Sequence, residues 1–124
     1  MSTKIKQVSL GRELQRFFQV AQIHRETGRR TFMPACPVDT EWHRRLKNPK
    51  RYKGFCRSAV GHEVGHRPVK GEGKIDWTKT YEKLFGKLPE VWFQDTNRIL
   101  NQQSRLKYLQ TGVFHASWDC DPFD

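Results

Sequence analysis

Apolar residues fall into short, regularly spaced groups along this 124-residue chain. From Ser9 onward, Leu10, Leu14, Phe17, Phe18 and Ala21 recur at three- and four-residue spacing, which predicts an amphipathic helix reaching about Glu26. Gly28 ends it, because glycine enters the left-handed conformation of a helix exit without a side-chain clash. Residues 31–38 (TFMPACPV) carry two prolines and are excluded from regular helix. A second helix is expected from Asp39 or Thr40, either of which caps exposed N–H groups, with Trp42 and Leu46 on one side. Asn48 and Pro49 close that helix and open a third, as cap and first helical residue. Tyr52, Phe55, Cys56, Ala59 and Val60 then form one apolar face, Lys50, Lys53 and Arg57 lie opposite, and Gly61 is the stop.

The second half reads as shorter pieces. Residues 69–74 (VKGEGK) predict a flexible turn. Thr78 is expected to cap a helix through Phe85 that buries Tyr81, Leu84 and Phe85 against Ile75 and Trp77. Residues 88–93 are apolar but short, and residues 97–110 predict an amphipathic helix with Ile99, Leu100, Leu106 and Leu109 inward. Residues 113–118 are apolar and should pack back on the core. With residues 1–8 as a loose lead-in, the expected architecture is mainly α. It is a compact single-domain helical bundle over residues 9–124, with about five short helices and irregular connections.

Composition adds two constraints. Apolar residues make up only 35% of the chain, so its 15 Phe, Tyr and Trp must supply much of the core. No apolar run approaches the roughly 20 residues that span a bilayer, and no signal-peptide pattern is read at the N-terminus, so the expectation is a cytoplasmic protein with no membrane partner. Cys36, Cys56 and Cys120 are odd in number and widely spaced, which argues against a disulfide framework and for reduced thiols.

Charge changes the picture most. The formal net charge is +10, and it is uneven: residues 1–74 hold 17 basic and 6 acidic groups, residues 75–124 hold 6 and 7. The densest run is residues 44–53 (RRLKNPKRYK), uninterrupted by any acid. Arg44, Arg45, Lys47, Lys50, Arg51 and Lys53, with Arg57 one turn later, straddle the joint between two expected helices. Such a patch suits a polyanion, since each neutralised phosphate releases counterions. Tyr52 within it is a core residue first, and no helix-turn-helix, RRM or KH signature accompanies it.

Two patterns point to metal chemistry. His62-Glu63-Val64-Gly65-His66 spells HExxH, which on a helix places two imidazoles on one face for zinc, with Glu63 as general base. Gly61, Gly65 and Pro68 work against that helix. A third ligand would have to come from Glu72, Glu82 or Glu90. His43, Cys56, His62 and His66 offer the donor types of a structural zinc site, although their spacings match no finger. Cys56 or Cys36 in a Cys–His nucleophilic dyad is a further option, without a visible cause for a lowered thiol pKa.

Asp39, Trp42-His43, Tyr52, Phe55-Cys56, Gly61 and the His before Pro68 resemble the core segment of the glycine-rich-domain-containing protein-like family. Trp77 with Tyr81, Leu84-Phe85-Gly86, Leu88-Pro89 with Trp92-Phe93, and the Ser117-Trp118-Asp119-Cys120 ending are similar to small bacterial proteins carrying that segment. The resemblance implies a helical cytosolic domain and brings no established activity or catalytic residues. After Gly61 this chain departs from the pattern with Glu63 and a second glycine, and it lacks a glycine-rich tract.

The expectation drawn from these readings is a small, basic, non-enzymatic protein without a cofactor, whose surface over residues 44–57 engages nucleic acid or a nucleoprotein complex. Three alternatives stand beside it. One is an anti-CRISPR-like inhibitor of a host nucleoprotein machine, acting by protein–protein contact. Another is a small zinc metallopeptidase using His62, Glu63 and His66. The last is a protein-binding module presenting Trp77, Trp92 and Trp118.

Overall fold

In a computed structural model, which describes residues 9–123, the helical stripes form the expected first half. Helix α1 (Leu10–Glu26) starts where the Ser9 hydroxyl accepts from Arg12 N, and it buries Leu14, Phe17, Phe18 and Val20. A two-residue strand β1 (Met33–Pro34) precedes α2 (Pro37–Leu46). That helix begins earlier than Asp39, because Pro37 takes a first-turn position where its missing N–H costs nothing. Helix α3 (Pro49–Val60) has the expected caps: Asn48 accepts from Arg51 N, and Gly61 closes it at φ 86°.

The chain is mainly α, with five α-helices among the described residues, but the expectation of a purely helical bundle is corrected beyond Gly61, where a small sheet forms. Residues expected to form a flexible turn lie inside β2 (Gly65–Lys74), which pairs antiparallel with β3 (His115–Phe123). Strand β3 also pairs with β1, giving a three-stranded sheet in the order β1-β3-β2. Gly71 explains why so glycine-rich a segment is a strand. It faces Trp118, and a Cβ there would stand 2.7 Å from the indole. The glycine therefore admits the ring, which stacks on Phe32 at 4.5 Å. Spacing rules read glycine as a turn signal and cannot register a cross-strand aromatic.

Helix α4 (Thr78–Phe85), a 3₁₀ turn (Glu90–Phe93) and α5 (Gln102–Thr111) complete the fold. Two expected inward faces are rotated. Tyr81 is buried and Phe85 packs against the core, but Leu84 is exposed. In α5 the buried residue is Tyr108, whose hydroxyl donates to Glu82 and whose ring packs on Phe93. Leu106 and Leu109 therefore turn outward, Ile99 lies exposed ahead of the helix, and only Leu100 of the expected four packs on the core.

The centre is aromatic. Phe17 lies within 6.1 Å of Trp42, 5.4 Å of Trp77 and 6.0 Å of Trp92, centroid to centroid. Trp77 and Trp92 are thereby consumed by the core, and Trp118 is half-buried, which removes the expected Trp-presenting surface. Within this core Glu13 is buried and fully occupied. Its Oε1 accepts from Tyr81 Oη–H at 2.5 Å and Trp92 Nε1–H at 2.9 Å, and its Oε2 from Arg16 at 3.2 Å. Among the described residues, no helix is long and apolar enough to cross a membrane.

Candidate metal centre

Where α2 meets the sheet, the local geometry gathers three metal-ligating side chains, His43, His66 and Cys120, with the Asp39 carboxylate beside them. Asp39 and His43 are one turn apart on α2 and share a face. On the sheet, Cys120 pairs with Pro68, so both point to the same side. His66 lies two residues before Pro68, and strand alternation returns it to that side, diagonal to Cys120. The helix face and the sheet face then converge. His43 Nε2 stands 3.1 Å from His66 Nε2 and 3.3 Å from Asp39 Oδ1. Cys120 Sγ stands 3.1 Å from the same carboxylate oxygen. The donor atoms of His43, His66 and Cys120 all lie within 4.8 Å of one another.

The contacting pairs, at 3.1–3.3 Å, are slightly closer than the ligand atoms of a four-coordinate ion, and the three clustered donors spread over up to 4.8 Å, so small shifts would bring them onto one ion. Zinc bonds of about 2.0–2.3 Å in a tetrahedron place ligand atoms roughly 3.3–3.8 Å apart. Cys120 and Asp39 are buried, His66 is half-buried and His43 lies at the surface, which gives a centre closed inside and reachable from one side. The Trp42 ring meets the His66 imidazole edge-on at 4.8 Å and fixes its orientation.

Electrostatics at the corner favour a cation. Burial pushes the Asp39 carboxyl upward, partly opposed by the Cys120 thiol and His43. Burial, followed by the charge of Asp39, pushes the Cys120 thiol upward too. Burial and then His43 lower His66. Each group is thus held toward its neutral form. A divalent ion would invert that preference for Cys120 and Asp39, drawing a thiolate and a carboxylate against its two positive charges, and would take His66 in the form that burial favours.

The structure separates the sequence-predicted residues. The HExxH reading is corrected: α3 ends at Val60, His62 lies in the bend after it, and His66 is on β2, so no helix carries both imidazoles. Glu63 is exposed, 3.9 Å from Lys53. Among the described residues, neither His62 nor Glu72, Glu82 or Glu90 joins a metal-ligating cluster of three or more. From the quartet His43, Cys56, His62 and His66, the fold keeps His43 and His66. Cys56 instead lies against Tyr52 and Val64, its thiol pushed upward mainly by burial, and Cys36 is pushed up to about 12 by burial. Neither thiol is poised as a nucleophile.

The basic run divides in two. Glu41, nearly buried on α2, accepts from Arg44 Nε at 3.1 Å and Nη2 at 2.8 Å, and from Arg45 Nε at 2.7 Å. Burial alone would raise the Glu41 carboxyl, but these two guanidiniums outweigh it and hold it below the ordinary range. Arg45 also lies 4.0 Å over the Phe55 ring. Arg45 is therefore half-buried against the fold, whereas Arg44 is paired with Glu41 but stays exposed. Lys47, Lys50, Arg51 and Arg57 are exposed, and none forms an ion pair with a described carboxylate.

Sequence spacing does not single out Asp39 and Cys120 as candidate ligands. Asp39 reads as a helix cap, and Cys120 stands 54 residues beyond His66, outside any motif window. The available signals were the i,i+4 pairing of Asp39 with His43 and the period-two alternation of Ala116, Trp118 and Cys120. Compared with known protein families, curated proteins and solved structures, the chain matches none.

Proposed function

We propose that this chain is a metal-clasped binding domain in which Asp39, His43, His66 and Cys120 hold a zinc-class divalent ion. The observation that carries the reading is the meeting of His43, His66 and Cys120, from three elements, within 4.8 Å of one another, with Asp39 Oδ1 3.1 Å from Cys120 and 3.3 Å from His43. Thiolate with two imidazoles selects a borderline-soft ion over Mg²⁺ or Ca²⁺, and four protein donors make the centre structural. The ion would tie α2 to both β2 and β3. Three of the four donors, Asp39, His43 and His66, also lie in the stretch that resembles the glycine-rich-domain-containing protein-like family. Elemental analysis of the purified protein is expected to give equimolar zinc, lost in Cys120→Ser and in His43→Ala and kept in His62→Ala. Full zinc in the first two variants would overturn the reading.

A second observation favours a compatible role. Lys47, Lys50 and Arg51 lie at the α2–α3 joint and Arg57 in the last turn of α3, all exposed and without carboxylate partners among the described residues, and the clasp would fix the helix that leads into them. We read this narrowed patch as the surface that docks nucleic acid or a nucleoprotein complex without chemistry on it. Charge reversal of these four residues should abolish salt-sensitive retardation of a generic oligonucleotide, while Arg44→Gln with Arg45→Gln should leave most of it. Equal losses from both sets would remove the assignment.

A further inference from the structure

A cavity of about 260 Å³ opens on the side of the molecule where the C-terminal end of α1 meets the end of β3. Phe18, Ala21, Val60, Val64 and Phe123 give it apolar walls. Its rim is cationic: Arg25, Arg29, Arg30 and Arg67 all border it. Two of them share one carboxylate. Arg30 Nε donates to Asp121 Oδ2 at 2.9 Å, and Arg67 donates to both oxygens of Asp121 at 3.0 and 2.9 Å. Arg29 meets only a backbone carbonyl, that of Asp76 at 3.4 Å. Among the described residues, the three guanidiniums of Arg29, Arg30 and Arg67 thus stand against one carboxylate, that of Asp121, along this part of the rim. An adjoining polar hollow shares Gln22, Arg25 and His62 with the cavity and brings Glu26 and Glu63 to the Arg25 side of the rim.

The wall carries one more feature that points to an occupant. Thr31 is 2% exposed and lines this cavity, yet its hydroxyl finds no hydrogen-bond partner among the described residues. A buried hydroxyl left unpaired is costly, and native structures seldom keep one without a reason. Here it stands next in sequence to Arg30, at the boundary between the apolar walls and the charged rim.

We propose that this cavity binds a small carboxylate with an apolar body, its carbons between Phe18, Val60 and Phe123 and its carboxylate at the arginine rim, accepting from the Thr31 hydroxyl. Planar guanidinium forks match the two carboxylate oxygens, and the volume suits a body of benzoate to octanoate size. The site is separate from the metal centre and does not depend on it.

Calorimetric titration with octanoate, 1-octanol and inorganic phosphate tests the assignment. Octanoate should bind, with 1-octanol at least tenfold weaker and phosphate giving no saturable heat. Thr31→Val should weaken octanoate roughly tenfold, the scale of one hydrogen bond to a charged group, while raising the melting temperature of the ligand-free protein. Ala21→Phe, which fills the cavity, should block octanoate. If that variant does not fold, Thr31→Val decides alone. Octanol or phosphate binding as tightly as octanoate would overturn the proposal, as would undiminished octanoate binding by Thr31→Val.

Discussion

Two buried carboxylates, Glu13 and Asp39, lie in the same small fold and have opposite surroundings. Glu13 is met by a phenol, an indole and a guanidinium, all of them strong donors that favour a carboxylate with no ion present. Asp39 is met by a thiol, a weak donor, and by an imidazole that also faces a second imidazole. The first arrangement is complete as protein alone and fastens α1 to α4 and the 3₁₀ turn. In the proposed reading the second is completed by a cation that replaces the protons. Buried polarity is thus structural at one carboxylate and, by that proposal, metal-binding at the other.

Paired substitutions break this comparison most sharply. Glu13→Gln should destabilise the protein by about 3 kcal/mol in urea melts, with or without zinc, because it removes the charge that three donors address. Asp39→Asn should change the stability of the zinc-free protein by less than about 1 kcal/mol, since the carboxylate is poorly compensated there. The same variant should lower zinc affinity by at least the roughly 10–100-fold that loss of even an outer-shell partner causes. Equal, zinc-independent losses for both variants would erase the distinction.

Gly71→Ala acts on the ladder beneath the metal corner. The added Cβ would meet Trp118 at 2.7 Å, so a loss of about 1–3 kcal/mol is expected in denaturant melts. Zinc affinity should fall with it, because β2 and β3 carry His66 and Cys120. The smallest effect concerns a third buried polar group, distant from both carboxylates. Burial, then the charge of Arg29, lowers His24, against the pull of Asp76, and its Nε2 lies 2.7 Å from the Thr80 hydroxyl. A lowered folded-state value means that its contribution is intact above about pH 6.5 and is lost as the pH falls below that, when the unfolded chain takes up the proton. His24→Gln should therefore flatten the decline in melting temperature between pH 6.5 and 5. An unchanged slope would show that His24 is not responsible.

What spacing could read was local. Helices α1 and α3, the Asn48 cap and the Gly61 stop all lie within a few residues of the signals that define them. Period alone places Tyr52 and Cys56 on the inner face of α3, and both are buried. The sheet was not legible, because Gly71 and Gly73 look like turn residues until Trp118, more than 40 residues away, is laid across them. The same limit hid the metal corner. His43 and His66 were singled out, but by motifs that joined them to His62, Glu63 and Cys56. Strand pairing supplied Cys120, and a helix face supplied Asp39. The cationic run was correctly dense in sequence. Only the fold showed that Glu41 takes up Arg44 and Arg45 and leaves Lys47, Lys50, Arg51 and Arg57 outward.

Cobalt(II) titration of the metal-free protein tests the central claim most directly, because a thiolate ligand announces itself in the absorption spectrum. The account predicts saturation at one cobalt per chain, with a sulfur-to-cobalt charge-transfer band and the intense visible bands of tetrahedral geometry, reversed by zinc and absent in Cys120→Ser. Weak octahedral spectra, or a charge-transfer band that survives in Cys120→Ser, would contradict it.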